Sequence, residues 1–177
     1  MSQLVLPESY QKFFTKILKF TIVMAIVDLV AGVLYQESSK KIAISEALPA
    51  GAHWQATVHL ALVHGHMFMM GVIIPLTVCF MLYLGQVLGY GPVGEKTLKW
   101  GGSLYIWSAI SAMLLILYKG YHYNIAIRKG ILDFNEIDHL FFGGQEIFRH
   151  IAYGLSHTVM VVALGMLVTG LWKTMKK

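Results

Sequence analysis

Four long apolar stretches limit what this chain can fold into before any single residue is considered. They run from about Phe14 to Tyr35, Ala56 to Leu88, Trp100 to Tyr121 and Ile147 to Trp172. A helix that crosses a bilayer needs about 20 mostly apolar residues, and each stretch supplies them. Composition agrees. The 177 residues are 56% hydrophobic and 13% charged, with mean hydropathy +0.62, whereas a soluble domain carries roughly a quarter charged residues. The stretches use most of the chain. This predicts one domain, residues 1–177: an all-α transmembrane four-helix bundle in up-down-up-down order, with an outer loop able to form a partly ordered cap.

The net charge of +5 and pI near 9.3 do not make this a nucleic-acid-binding protein, because the basic residues sit mainly at helix ends. The expected partner is the lipid bilayer. With four spans, both termini share a side. That side carries Lys12, Lys16, Lys19, Lys96, Lys99, Lys173, Lys176 and Lys177 against Glu8 and Glu95. The other side carries Lys40, Lys41, Lys119, Arg128, Lys129 and Arg149, offset by Glu37, Glu46, Asp133, Glu136, Asp138 and Glu146. The positive-inside rule then puts both termini in the cytoplasm of a multi-pass protein of a bacterial inner membrane. Trp54, Trp100 and Trp172 fall near span ends, where interfacial aromatics belong. The polar N-terminal start leads into an apolar run too long for a cleavable signal peptide, and the lone Cys79 permits no intrachain disulfide.

The connections differ in length. Gly89 to Leu98 (GYGPVGEKTL) reads as a tight inner turn. The outer segments, about Gln36 to Gln55 and His122 to Glu146, are longer, and the Gly143-Gly144 pair suits a cap over the bundle. No internal repeat or nucleotide motif is present. Gly65, Gly71, Gly154 and Gly165 are small residues of the kind that let membrane helices approach; Gly154 could equally admit a flat cofactor beside the backbone. Pro75 is placed to kink the second span. The ten methionines, including Met69 and Met70 beside Phe68, read as packing residues.

Five of the eight histidines belong to two spans: His59, His64 and His66 to the second, His150 and His157 to the fourth. Strongly polar residues at membrane depth are costly and default to a functional reading. At 100° and 1.5 Å per residue, His59 and His66 share a face within about 20° and lie roughly 10.5 Å apart. His150 and His157 repeat that relation, while His64 points elsewhere. The second and fourth spans run in the same direction, so His59 matches His150 in depth, and His66 matches His157. In an up-down-up-down bundle these helices are diagonal neighbours across the core, a position that holds cofactors.

A porphyrin between two imidazoles fits such a gap. Zinc or copper also accepts imidazole but usually needs three or four converging ligands. The expected cofactor is therefore haem b, with His66 and His157 as axial ligands. A second metal ion, copper or zinc, is compatible with an outer set of His59, His150 and Glu146, with Glu37 or His53 nearby. A wet hydrogen-bonded mouth is the alternative for that set. Asp28, in the middle of the first span, is either a proton-relay group or a neutral hydrogen-bonding residue. His122 and His139 are expected in solvent.

Several short runs carry a resemblance. Gly32 through Glu37, then Val63, His64, Gly65 and His66 followed by Gly71, and Gly154 through His157 resemble a family of small bacterial four-helix membrane proteins catalogued as a domain of unknown function. The likeness covers most of the membrane part. The family pattern, as that resemblance implies, includes the His-x-His pair and the fourth-span histidine; His59 and His150 lie outside it. The second span also looks like a haem-ligand helix of haem-copper oxidase subunit I, with His64 preceding Met67, Phe68, Met69, Met70 and a proline eleven residues on. That likeness implies haem ligation by His64, whereas the helical-face geometry favours His66. Most of the oxidase's spans are missing, so oxygen reduction does not carry over.

The sequence thus points to a membrane b-type haem protein serving electron transfer or redox/gas sensing. It would be a membrane oxidoreductase if it catalyses a reaction at all, with a quinone or other redox partner and room for a homodimer. A non-haem metal enzyme or carrier and a proton-relay or structural membrane protein are the alternatives.

Overall fold

Each apolar stretch forms a helix that outruns it at one or both ends. The computed structural model describes residues 5–40 and 51–175. Helix α1 spans Glu8–Lys40. The second span is α2 (Ala52–Phe68) and α3 (Ile74–Val87), joined by one turn of π-helix, Met69–Ile73. The third is α4 (Glu95–Arg128), and the fourth is α6 (Glu146–Thr174). Between them lies a short α5 (Phe134–Leu140) and a 3-10 turn, Phe141–Gly144. Among the described residues there is no strand, and four helices are long and apolar enough to cross a membrane. The chain is an all-α, multi-pass membrane protein.

Lipid is as apolar as leucine, so hydrophobic burial does little to hold these helices together. The large side chains of Ile22, Ile26, Leu29, Phe80, Trp107 and Val161 stay exposed and face lipid. Close packing holds the helices instead. A Cβ on Gly71 would lie 2.7 Å from the Cβ of Met24, and one on Gly101 would lie 2.8 Å from Leu167 Cγ. Helix α4 takes the centre. It packs against α1, α2 and α6, while α6 reaches the second span mainly through α3, near the end that carries the termini. The middle of the bundle is filled by Phe20, Met24, Val63, Met67, Met70, Tyr105, Met113 and Met160. Five of those are among the methionines expected to pack; Met69 and Phe68 remain exposed.

Pro75 acts on hydrogen bonding rather than as a simple kink. The π-turn shifts the ladder by one residue, so Ile74 N–H bonds to the carbonyl of Met69. The Met70 carbonyl would then pair with the nitrogen at position 75, and proline has no N–H. The fully buried Tyr105 supplies the missing donor, its hydroxyl lying 2.6 Å from the Met70 carbonyl.

At the end opposite the termini, here called distal, α5 forms the cap. Asp133 starts it by accepting from the backbone of Asn135 at 2.8 Å. Phe142, Gly143 and Gly144 all take left-handed backbone, φ +59°, +66° and +81°, and turn the chain into α6. The Asp138 carboxylate clamps this cap: it pairs with Arg149, accepts from the Tyr123 hydroxyl at 3.1 Å and lies 3.6 Å from Lys119 Nζ. His139 is exposed as expected, but His122 is not in solvent. Helix α4 continues past it, and its Nε2–H donates to the Ile137 carbonyl at 2.8 Å, with the Phe141 ring at 5.2 Å. The sequence reading ended the third span too early to see this.

Two outcomes are expected. Tyr105→Phe leaves the Met70 carbonyl buried without a donor, which costs about 1–3 kcal/mol, readable as a lowered unfolding midpoint in detergent. The second concerns Asp138: burial pushes its carboxyl up, but Arg149, Lys119 and Tyr123 together outweigh burial and hold it below its ordinary value. Its contribution is therefore present above about pH 4 and is lost as pH falls through the lower folded value. Hydrogen exchange across residues 134–144 should accelerate in acid in the wild type, and already at neutral pH in Asp138→Asn.

Candidate functional site

The second and fourth spans do not face each other across the filled centre. Near the termini they touch, with Leu171 against Gly85. Towards the distal end α2 and α6 diverge, each packed on α4, and a cleft of about 230 Å³ opens between them. Its walls are His59, Leu62 and His66 from α2 and Tyr153 and His157 from α6; Ile116 and Lys119 of α4 form its floor. The volume is below the roughly 300–1,000 Å³ of an enclosed ligand pocket, because one side is open. The expected diagonal across the bundle core is thus a lateral cleft beside the core.

The two histidines that the helical-face geometry matched, His66 and His157, share this cleft, and their ring nitrogens are constrained alike. His66 Nδ1 lies 2.8 Å from the Leu62 carbonyl, and His157 Nδ1 lies 2.8 Å from the Tyr153 carbonyl. A carbonyl can only accept, so in each ring Nδ1 carries the proton. The lone pair is then on Nε2, and the hydrogen bond one helical turn back fixes the ring plane. A histidine presented this way is a ready metal ligand. Tyr153 is held in turn, its hydroxyl donating to the Leu115 carbonyl of α4 at 2.9 Å.

His64 goes elsewhere. Its Nδ1 lies 2.8 Å from Asp28 Oδ1 and 3.3 Å from the Asp28 backbone carbonyl, on α1. Gly32 makes room for the ring: a Cβ there would sit 3.4 Å from His64 Nδ1 and Cε1. Asp28 is buried and His64 half exposed, so the mid-span carboxylate lies against an imidazole on the neighbouring helix, in contact but without a well-aligned hydrogen bond to Oδ1. No histidine lies on α1, so nothing on that helix pairs with His64 as a second imidazole.

The outer set is not brought together. His59 is in the cleft with its ring centre 4.8 Å from that of Tyr123. His150 and Glu146 are exposed on α6 and do not line it. Glu37 lies near the distal end of α1, and the side chain of His53 lies outside the described residues. Among the described residues no three His, Cys, Asp or Glu side chains gather closely enough to hold a metal ion. The glycines also divide. Gly71 packs on Met24, whereas a Cβ on Gly65, Gly154 or Gly165 would meet nothing within 4 Å. Gly154, next to Tyr153, therefore keeps bare backbone open.

Sequence reasoning missed Lys119 and Tyr153. Lys119 counted only as one of the cations that set orientation. Tyr153 had an available signal, because it stands one turn before His157 and so shares its face. Comparison with protein-family models, with curated proteins and with solved structures gave no match, so the motif likenesses described above rest on their own residues.

Proposed function

We propose that this chain is a b-type haem protein of the bacterial inner membrane that carries electrons, with His66 and His157 as the two axial ligands. The observation that carries this is the matched pair of imidazoles in one cleft, each with Nδ1–H tied to the carbonyl four residues back and Nε2 left to donate. A haem needs only two protein ligands, whereas zinc or copper usually needs three or four, and no such cluster forms among the described residues.

Bound there, haem would supply one-electron exchange. The chain's own residues do the rest. His66 and His157 arrive with ring planes already set, so little ordering accompanies ligation. Leu62 and Ile116 present apolar surface that keeps water from the ligating nitrogens. Held by both His66 and His157, a haem would exchange electrons rather than take up a gas, which favours electron transfer over sensing. The lysine bias supports termini in the cytoplasm, which would set the cleft in the periplasmic half of the membrane, within reach of a lipid-soluble quinone or a periplasmic redox protein.

Protein purified in detergent after expression with adequate haem should show a Soret band and sharp reduced α and β bands. Replacing His66 or His157 with Ala should weaken haem binding by more than about a hundredfold, while His64→Ala keeps it. A preparation with no Soret band would sink this reading.

A further inference from the structure

Of the residues lining the cleft, His59 and Lys119 are left unused by the haem reading, and the electrostatic position of Lys119 is unusual. Three groups surround the Asp138 carboxylate. Arg149 holds Oδ2 and also donates to the Asp138 carbonyl at 3.3 Å, and the Tyr123 hydroxyl donates to Oδ1 at 3.1 Å. Lys119 Nζ stands 3.6 Å from Oδ1, close enough for attraction but too far for a hydrogen bond. One negative charge thus faces two cations, and the guanidinium has the closer hold. The Lys119 ammonium also sits 5.6 Å from the centre of the Tyr123 ring. Its side chain is only 28% exposed. A lysine at such depth with its donors unfilled calls for an anion.

Its place in the cleft says where that anion would be. Helix α4 runs from the termini towards the distal end, so Lys119 lies nearly one turn nearer the distal mouth than Ile116, its neighbour on the floor. His66 lies seven residues deeper on α2 than His59, about 10.5 Å along the axis. The cleft is thus graded, with His66 and Ile116 deeper in and His59 and the Lys119 cation towards the mouth.

We propose that Lys119 recognises a carboxylate on the occupant of this cleft, namely a propionate of the haem, and so fixes the macrocycle with its carboxylate edge towards the distal mouth. This rests on the haem reading above. The grading disfavours the reverse orientation, which would turn both carboxylates away from Lys119 and towards the inner end beyond Ile116 and His66. It also makes Lys119 a specificity residue that selects the free acid over an esterified porphyrin.

The test is a titration of the detergent-solubilised full chain with ferric protoporphyrin IX and, separately, with its dimethyl ester, followed by Soret absorbance. Both iron porphyrins offer the same iron and ring, but only the first offers carboxylates. The wild type should prefer the free acid by about ten- to hundredfold, the range for a charged hydrogen bond. Lys119→Met, which keeps the apolar stem, should bind both equally, and Lys119→Arg should restore the preference. Asp138→Asn, which loosens the cap but leaves the lysine, should keep it, so a merely structural effect is separated from recognition. Equal binding of the two porphyrins by the wild type, or an undiminished preference in Lys119→Met, would overturn the proposal and leave Lys119 to a lipid phosphate. Binding of neither by the wild type would overturn the haem reading, and this proposal with it.

Discussion

Hydrocarbon offers no hydrogen bonds, so polar groups within the membrane have to find partners inside the chain. Much of this structure follows from that constraint. Ser108 and Ser156 return their hydroxyls to carbonyls three residues back, at 3.0 Å each. The π-turn before Pro75 leaves one carbonyl without a backbone donor, and Tyr105 reaches across from α4 to fill it. The Asp28 carboxylate, deep in α1, lies against His64 on the next helix. These contacts tie α1, the second span and α4 together where burial of apolar surface contributes little, and glycine-sized gaps let the backbones come close enough to make them.

The same constraint determines how the histidines are presented. An imidazole in lipid takes the nearest acceptor, and on a helix that is the carbonyl four residues back or a group on a neighbouring helix. His66 and His157 took the first course, His64 the second. The outcome leaves Nε2 without a protein partner among the described residues in His66 and His157, within one cleft whose other side is open. The cleft itself follows from how the spans pack. Leu171 on Gly85 holds α6 against α3 at one end, while α2 and α6 each follow α4 at the other and separate. The cap then sets two cations against one carboxylate at the distal mouth.

Much of this was legible in the sequence. Hydropathy over 20-residue windows reports helix existence directly, and all four spans came from it. Helical period put His66 on the face of His59 and turned His64 away, because a rotation of 100° per residue is fixed by backbone geometry. The shared direction of the second and fourth spans then matched His66 with His157 in depth. Partners depend on tertiary packing, and here the sequence said less. It placed Asp28 in the span but could not show that His64 stood opposite. It counted Lys119 as an orientation cation because its relation to Asp138 exists only once α5 folds back over α4. It expected His122 in solvent because apolar windows miss the last turns of a helix that runs on past the hydrocarbon. The outer His59, His150 and Glu146 set failed to gather for a related reason: a shared face on one helix says nothing about the distance to the next.

The central proposal is that His66 and His157 would together hold one haem. Ferric electron paramagnetic resonance tests it most directly, because removing either strong axial ligand changes the spin state. The wild type should be low-spin. His66→Ala and His157→Ala should each turn any retained haem high-spin, and added imidazole should restore the low-spin signal, while His64→Ala leaves it unchanged. A low-spin signal that survives in either of the first two variants, or disappears in His64→Ala, would contradict the account.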